Sequence, residues 1–394
     1  MLVLDLTRVL AGPWCTQMLG DFGADVIKIE RPGTGDDTRA WGPPWLEEAG
    51  GRHSSFFGSA NRNKRSVALD ISTPYGQDVV RRLAARADVL VENYKAGDLA
   101  RYGLDYASLT AINPRLVYCS ITGYGQNGPY AQRPGYDFVF QGEAGLMSVT
   151  GEADSAPGGG PQKIGVAVVD MITGMYACSA ILAALTHRER SGRGQAIDMA
   201  LFDCALALGA NHAFNHLVTG TVPVRYGNAS SALVPYQAFK TADGHVVVVA
   251  GNDTQWQRLC QAMERADLAA DARFMDASGR ITNRQPLVSQ LEAIFLSRTT
   301  VQWQQALERC EVPHGPINDY RQAFEHPQVK HRDMLVQVPR SSGGTLPGVG
   351  NPVRFSEAPV RYERCAPALG EHTQEVLREF GIPPEAGEPT RGRA

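Results

Sequence analysis

Residues 1–29 read MLVLDLTRVLAGPWCTQMLGDFGADVIKI, and this stretch decides the fold. Val3–Leu6 is a short apolar run, Pro13–Phe22 has the apolar spacing of a helix, and Ala24–Ile29 is again apolar and β-branched. A strand, a helix and a second strand in this order predict a βαβ unit, in which the two strands run parallel.

The same alternation continues beyond this unit. Further strand-like runs lie at Ser66–Leu69, Val89–Val91, Leu116–Ile121 and Ala196–Met199, with helical patterns between them such as Tyr75–Ala85. Repeated βαβ units predict an α/β fold with a mostly parallel sheet that helices cover on both faces. One long polar stretch, 31–55, interrupts the rhythm with five glycines and three prolines. It is longer than an ordinary connection, so we predict a functional or packed loop there.

The chain changes character at Thr219–Ser231, where Gly, Pro, Asn and Ser replace the apolar rhythm. Beyond this linker, Val234–Phe239 and His245–Ala250 flank a turn at Asp243-Gly244 and predict a hairpin. Helical patterns follow near Thr254–Met263, Asn283–Leu296 and Thr300–Cys310. This part of the chain therefore predicts a smaller α+β domain.

The length and composition suit two globular domains. The chain has 394 residues, of which 43% are hydrophobic and 20% are charged, enough for two sizeable cores. We predict the N-terminal part of a large domain at 1–218, a small domain with its linker at 219–312, and a return segment at 313–394 that completes the large domain.

The charge balance and the cysteines exclude several classes of protein. A net charge of -3 and a pI near 6.3 argue against a nucleic-acid partner. The seven cysteines are odd in number and lack Cys-x-x-Cys spacing, so they indicate neither a disulfide framework nor a metal site. The chain opens on an apolar run with no basic segment before it, and we predict a cytoplasmic protein with no membrane partner.

Asp170 stands between the apolar run Ile164–Val169 and a helical pattern at Asp170–Arg188. A carboxylate at this position is either a helix cap or a nucleophile in a partly dry pocket. Asp is among the commonest capping residues, so the local sequence favours the cap. In either role, the N–H groups of the first turn are expected to keep the carboxylate ionised.

Two further patterns indicate ligand contacts. Gly123-Tyr-Gly-Gln-Asn-Gly128 matches a dinucleotide fingerprint, but Pro129 follows it where the fingerprint requires a helix, so a tight loop that shapes a pocket is the better interpretation. The cations of Asn61–Arg65, with Arg31 and Arg101, lie near the predicted ends of strands and helices. Such cations suit a phosphorylated ligand; the alternative is a solvated charged face.

The chain strongly resembles the class III CoA-transferases, the family that includes formyl-CoA:oxalate and carnitine CoA-transferases and α-methylacyl-CoA racemase. Six motifs carry the resemblance, which runs from Val3 to Phe380: 5–13, 23–33, 61–66, 91–94, 113–116 and 369–373. Within the family, Thr34–Pro44, Tyr118–Pro129 and Val234–Lys240 look most like the succinyl-CoA:glutarate branch, which uses dicarboxylic acids.

The resemblance implies a fold and a mechanism. The family fold is a Rossmann-like large domain with a smaller inserted domain, and two subunits interlock as a homodimer. Asp170 matches the family nucleophile, which forms first a mixed anhydride and then an aspartyl-CoA thioester. Acyl-CoA and a small carboxylic acid are the implied substrates, with no tightly bound cofactor and no metal.

The resemblance also implies the residues that bind CoA. Its adenine and phosphates are expected to meet Val9, Ala11, Arg31, Leu69, Asn93, Tyr94, Lys95 and Arg101. Tyr136 and Asp137 match positions beside the pantetheine and thioester.

Two departures from the family pattern bear on the substrate. Leu10 replaces a glutamine of the oxalate-specific enzymes, and Tyr136 replaces a histidine of the racemases. A 2-methylacyl-CoA racemase and a non-catalytic acyl-CoA-binding homologue remain the alternative functions.

Overall fold

The computed structural model describes residues 1–48 and 51–385. Within these residues the chain divides into two compact units, and each is described by itself. The first comprises Met1–Leu146, Ile164–Gly220 and the chain from Lys330; the second comprises Met147–Lys163 and Thr221–Val329. The predicted domain bounds stay a prediction; this division differs from them in assigning 147–163 and 313–329 to the second unit.

The described residues form thirteen strands. In chain order these are β1 (Leu2–Leu6), β2 (Asp25–Glu30), β3 (Trp45–Glu48), β4 (Gly51–Ser54), β5 (Lys64–Ala68), β6 (Val89–Glu92), β7 (Val117–Thr122), β8 (Ala196–Ala200), β9 (Tyr236–Lys240), β10 (His245–Val249), β11 (His314–Pro316), β12 (Leu335–Pro339) and β13 (Thr345–Val349).

The helices of the described residues are α1 (Ala11–Asp21), α2 (Ser55–Ser59), α3 (Pro74–Ala84), α4 (Tyr106–Thr110), α5 (Asp137–Glu143), α6 (Leu146–Val149), α7 (Val168–Ser191), α8 (Leu201–Leu208), α9 (Ala210–Thr219), α10 (Asp253–Ala262), α11 (Ala266–Ala270), α12 (Ala277–Thr282), α13 (Arg284–Phe295), α14 (Thr300–Arg309), α15 (Tyr320–Glu325), α16 (Pro327–His331) and α17 (Thr373–Glu379). Short 3₁₀ helices cover Asp37–Ala40 and Asp98–Tyr102.

The first unit is built on a six-stranded sheet in the order β5-β2-β1-β6-β7-β8. Every neighbouring pair in it is parallel, which confirms the predicted α/β class. Because successive side chains of a strand point to opposite faces, Val3 and Val26 join one core while Leu4 and Ile27 join the other. Helices α1, α7 and α8 cover the first core, and α3 and α17 cover the second.

The polar stretch 31–55 forms the 3₁₀ helix Asp37–Ala40 and the antiparallel pair β3 and β4. Asp36 caps the 3₁₀ helix by accepting a hydrogen bond from the Thr38 N–H at 3.0 Å. The predicted packed loop is therefore partly ordered structure, while Ala49 and Gly50 of this stretch lie outside the described residues.

The second unit contains an antiparallel sheet in the order β11-β10-β9. Its β9–β10 hairpin confirms the predicted one, and β11 adds a strand that sequence reasoning missed. Helices α10, α13 and α14 pack beside it around Trp256, Phe295 and Trp303, which are nearly inaccessible to solvent.

Helix α7 is the longest helix of the described residues and begins two residues before the predicted start at Asp170. By length and composition alone it is apolar enough to cross a membrane, a criterion that core helices of globular proteins also meet. It packs on α1 at Gly174, where a Cβ atom would lie only 2.6 Å from the carbonyl oxygen of Ala11. The two helices approach each other this closely because residue 174 has no side chain.

Candidate active site

Asp170 is the third residue of α7 and lies in its first turn, half-buried. Asp170 does not cap this helix, although the local sequence favoured that role. The residue at the N-cap position is Ala167, whose side chain offers no hydrogen-bond acceptor. The capping acceptor comes from helix α5, where Asp137 Oδ2 accepts hydrogen bonds from the N–H groups of Val169 at 2.6 Å and Asp170 at 3.1 Å.

Asp137 is itself held in place by its neighbours. It is the first residue of α5 and only 8% exposed, and its Oδ1 accepts a hydrogen bond from Gln141 Nε2 at 2.5 Å. Gln141 Oε1 in turn accepts the N–H of Ile164 at 2.8 Å. Asp137 and Gln141 therefore fix both ends of the segment 164–170, and neither was singled out for this role from sequence.

The surroundings of Asp170 make its ionised form costly. Burial, together with the nearby negative charge of Asp137, raises the pKa of Asp170 to about 7. This overturns the expectation that first-turn N–H groups keep the carboxylate ionised, because the N–H groups of Val169 and Asp170 are donated to Asp137 instead. Perturbed carboxylates of this kind are typical of functional sites.

Tyr136, the residue before Asp137, is 62% exposed and occupies the N-cap position of α5. Its phenol therefore lies at the surface one residue from the carboxylate that caps α7. The exposed side chains of Phe138 and Val139 follow it on the same helix.

The predicted CoA-binding residues follow the carboxyl ends of four neighbouring parallel strands. Val9 and Ala11 follow β1, Arg31 follows β2, Leu69 follows β5, and a last group follows β6: Asn93, Tyr94, Lys95 and, in the next 3₁₀ helix, Arg101. Strand β1 lies between β2 and β6, so the loops after β1 and β6 diverge at a topological switch point. In open α/β sheets, ligands bind in the crevice at such a point.

Two of these loops are joined directly. Asn93 Oδ1 accepts the N–H of Arg8 at 2.9 Å, and Asn93 Nδ2 donates to the carbonyl oxygen of Arg8 at 2.7 Å. The amide of Asn93 is thus engaged in holding the loop after β1. The next residue, Val9, has a φ of 71°, a strained conformation for a β-branched residue, and its N–H donates to Asp36 Oδ1 at 3.2 Å.

A buried group of charges lies beneath this loop. Lys28 donates to the carbonyl oxygen of Thr7 at 2.8 Å and pairs with Asp36 at 3.0 Å, with both side chains inaccessible to solvent. Lys64 pairs in the same way with Asp5 at 2.9 Å. Although burial opposes it, the charges of Lys64 and Lys28 hold the pKa of Asp5 well below its usual range. Polar residues inside apolar strands, such as Asp5 and Lys28, were the sequence signal for this group.

The cations of Asn61–Arg65 do not form the predicted phosphate site. Lys64 is buried, and Arg62 pairs with Asp21 at 2.6 Å. Arg65 pairs with Asp25 at 2.5 Å and with two carboxylates of the C-terminal helix. Partners within the protein already satisfy these cations. Arg31, Lys95 and Arg101 are by contrast exposed.

Metal ligands are not grouped at this site. Among residues 1–48 and 51–385, no three His, Cys, Asp or Glu side chains are arranged to hold a metal ion. Five cysteines are buried and form no disulfide: Cys15, Cys119, Cys178, Cys204 and Cys260.

Comparison with known proteins places the chain in a family. The family model described as CoA-transferase family III matches residues 1–373. The chain is 48% identical to the succinate–glutarate CoA-transferase of Agrobacterium fabrum, covering 96% of this chain and 94% of that protein. It is 42% identical to human succinyl-CoA:glutarate CoA-transferase, covering 96% and 84%.

A solved structure agrees with these relatives. The crystal structure of a CAIB/BAIF family protein from Brucella suis matches with a TM-score of 0.86 and 46% identity, over 96% of this chain and 98% of that one. The chain therefore belongs to CoA-transferase family III and is a CoA-transferase.

Proposed function

We propose that this enzyme moves CoA from succinyl-CoA or a similar donor to a short carboxylic or dicarboxylic acid, with Asp170 as the nucleophile. The observation that carries this proposal is the half-buried Asp170 carboxylate in the first turn of α7, fixed by Asp137 and given a pKa of about 7. The relatives named as succinate–glutarate and succinyl-CoA:glutarate CoA-transferases support the choice of dicarboxylic acids.

The reaction consists of four acyl exchanges. An Asp170 oxygen attacks the thioester carbonyl of the donor, which gives a mixed anhydride and CoA thiolate. The thiolate attacks the Asp170 carbonyl, so the donor acid leaves and an aspartyl-CoA thioester remains. The acceptor carboxylate attacks this thioester and releases the thiolate, which then attacks the acceptor carbonyl. New acyl-CoA and free Asp170 result.

No external energy source is required, because the overall reaction replaces one CoA thioester of a carboxylic acid by another of similar energy. The donor, the acceptor and Asp170 are all carboxylates. The protein's task is to keep water from the anhydride and to position the reacting groups. Burial of Asp170 serves the first need by limiting the access of water, and a poorly solvated carboxylate also attacks readily once it is ionised.

The residues around the site bear on the alternatives. Racemisation requires two acid–base groups on opposite sides of the substrate, and Tyr136 stands where the racemases carry one of them. Leu10, at the N-cap position of α1, is apolar and only 7% exposed, which disfavours the small, highly charged oxalate as acceptor. These features support acyl transfer to a longer acid.

The proposal is tested by incubating the enzyme with succinyl-CoA and a panel of acids, glutarate among them, and measuring new acyl-CoA by mass spectrometry. Asp170→Asn is expected to abolish transfer. Asp203→Asn is the matched control, because Asp203 also lies in the first turn of a helix, α8, and is exposed.

Trapping provides a second readout. Hydroxylamine added after succinyl-CoA is expected to convert the side chain of Asp170 to a hydroxamate, which peptide mass spectrometry locates. Full transfer by Asp170→Asn would refute the mechanism. Proton exchange at the α-carbon in deuterated water without an acceptor would favour the racemase, and binding of acyl-CoA without any turnover would favour the non-catalytic homologue.

We further propose that the enzyme is a homodimer of interlocked subunits. Helices α7, α8 and α9 expose large apolar side chains, among them Met175, Leu206, Phe214 and Leu217, and Leu217 is 80% exposed. Such a surface on one compact unit is typical of an oligomer interface. Light scattering after gel filtration tests this directly, since a monomer mass would refute it.

We also propose a cytoplasmic location. Six cysteines form no disulfide (Cys15, Cys119, Cys178, Cys204, Cys260 and Cys310), and proteins of oxidising compartments usually carry disulfides. Fractionation of cells that express the protein at its natural level tests this, and recovery from another compartment would refute it.

A further inference from the structure

Arg8 is an unassigned cation in the loop after β1. Its backbone is fixed at both polar groups by Asn93, and the strained Val9 follows it. Strained backbone persists where the surrounding structure enforces it, and it is found most often at functional sites. The fold therefore presents Arg8 in a defined position at the switch point of the sheet.

The guanidinium of Arg8 is only partly satisfied by the protein. One terminal nitrogen, Nη1, lies 3.3 Å from Asp37 Oδ2, in a pair whose side chains are 35% and 54% exposed. Among the described residues, the buried Nε has no hydrogen-bond partner. A buried donor without an acceptor is destabilising, and burial also keeps a ligand from Nε, whereas the terminal nitrogens of the partly exposed side chain are open to one.

The neighbours of Arg8 favour an anionic ligand. Its guanidinium carbon lies 5.2 Å from the centre of the Tyr94 ring, a cation–π distance. Burial raises the pKa of Tyr94, and the positive charges of Arg8 and Arg31 oppose that rise, which shows that both cations act at the same phenol. Helix α1 begins three residues later and has neither a side-chain cap nor an acidic residue in its first turn.

We propose that Arg8 binds a phosphate of CoA through its two terminal nitrogens, exchanging its contact with Asp37 for the phosphate oxygens. The proposal rests on the assignment of this sheet edge to CoA. An exposed ion pair such as Arg8–Asp37 contributes little, whereas a guanidinium–phosphate contact forms two parallel charge-assisted hydrogen bonds. Asp37 thus occupies Arg8 in the free enzyme and yields it when the nucleotide binds.

The test is calorimetric titration of the purified enzyme with three ligands: CoA, 3′-dephospho-CoA and pantetheine. The variants are Arg8→Gln, Arg8→Lys and Asp37→Asn. Arg82→Gln is the charge-matched control, because Arg82 is exposed on α3 and pairs with Asp78 one helical turn away. Thermal unfolding of each variant checks that it is folded.

Arg8→Gln is expected to weaken CoA binding by about 10- to 100-fold, the loss typical of a hydrogen bond to a charged group. Arg8→Lys is expected to lose less, since it keeps the charge but not the fork of donors. Asp37→Asn is expected to tighten CoA binding by about 2- to 5-fold, because it removes an exposed competitor for Arg8.

The three ligands identify the phosphate. A loss in Arg8→Gln that is seen with CoA but not with 3′-dephospho-CoA assigns Arg8 to the 3′-phosphate. A loss with both, but not with pantetheine, assigns it to the diphosphate. An unchanged affinity for CoA, or an equal loss with pantetheine, overturns the proposal. Wild-type enzyme that transfers CoA while Arg8→Gln binds it normally refutes this inference alone, whereas wild-type enzyme without transfer refutes the proposed function.

Discussion

Asp137 Oδ2 accepts the backbone N–H of Asp170 at 3.1 Å, so one carboxylate positions the other through its main chain. Burial raises the pKa of Asp170, and the negative charge of Asp137 close by raises it further. Asp137, on a different helix, therefore positions the candidate nucleophile and adds to its basicity.

Asp137→Asn separates these two effects. The amide oxygen still accepts N–H groups from α7, while the negative charge is removed. We expect the pKa of Asp170 to fall, so the acidic limb of the pH profile of kcat/KM moves to lower pH. The profile is measured with succinyl-CoA and a fixed acceptor. Asp203→Asn is the control, and a limb that stays in place would contradict the assignment of the charge effect to Asp137.

Asp170→Asn is expected to stabilise the folded enzyme at alkaline pH. The folded pKa of Asp170, about 7, is above the value of about 3.9 for an unfolded chain. The folded state then binds more protons between these two values, and the free energy of unfolding falls as pH rises through that window.

The loss of stability caused by ionising buried Asp170 is absent below about pH 3.9 and complete above about pH 7. Thermal unfolding at several pH values measures it. The Tm advantage of Asp170→Asn over the wild type is expected to be largest at about pH 8 and to shrink towards about pH 4. An advantage that is independent of pH would show that desolvation of the carboxylate is not its cause.

Local sequence was sufficient to predict the strands of the main sheet. Runs such as Val3–Leu6 and Ala24–Ile29 carry apolar residues on both faces, and a buried parallel strand requires that pattern. The start of α7 could not be located in this way. Its cap is Asp137, more than 30 residues away, and no residue before Val168 signals it.

The charged residues were harder to interpret for the same reason. Arg65 and Lys64 belong to one basic motif, but their carboxylates are Asp25 and Asp5, which lie about forty and sixty positions earlier in the chain. Sequence shows that a cation is present and not which anion lies opposite it. Only the parallel pairing of β5 with β2, and of β2 with β1, brings these partners together.

The buried pair of Lys64 and Asp5 is expected to be essential for stability. Lys64→Met leaves the buried Asp5 carboxylate without this ion-pair partner. Breaking such a pair lowers the free energy of unfolding by about 3–5 kcal/mol. Arg82→Met removes an exposed partner of Asp78 and is expected to cost at most about 1 kcal/mol.

Urea denaturation measures both losses in the free energy of unfolding. The double variant Asp5→Asn/Lys64→Met is expected to recover part of the loss, because it removes the unpaired charge. A double variant no more stable than Lys64→Met alone would contradict this electrostatic account.

Gly174→Ala tests whether the contact between α1 and α7 positions the nucleophile. The added Cβ would lie 2.6 Å from the Ala11 carbonyl oxygen and 3.2 Å from Trp14 Cδ1, so the helices must separate. Overpacking costs about 1–3 kcal/mol, and the better helix propensity of alanine returns about 0.5–1 kcal/mol. We therefore expect a small net loss of stability.

The expected loss of activity from Gly174→Ala is larger. Ala11 belongs to the proposed CoA site and Asp170 lies one turn before Gly174, so separating the helices moves the nucleophile from the thioester. A displacement of about 1 Å is sufficient to lower kcat by on the order of 100-fold. Gly58→Ala in α2 is the control, because a Cβ there would be 4.0 Å from the nearest atom, a methyl group of Leu46. If kcat fell no further in Gly174→Ala than in Gly58→Ala, the spacing of α1 and α7 would not govern catalysis.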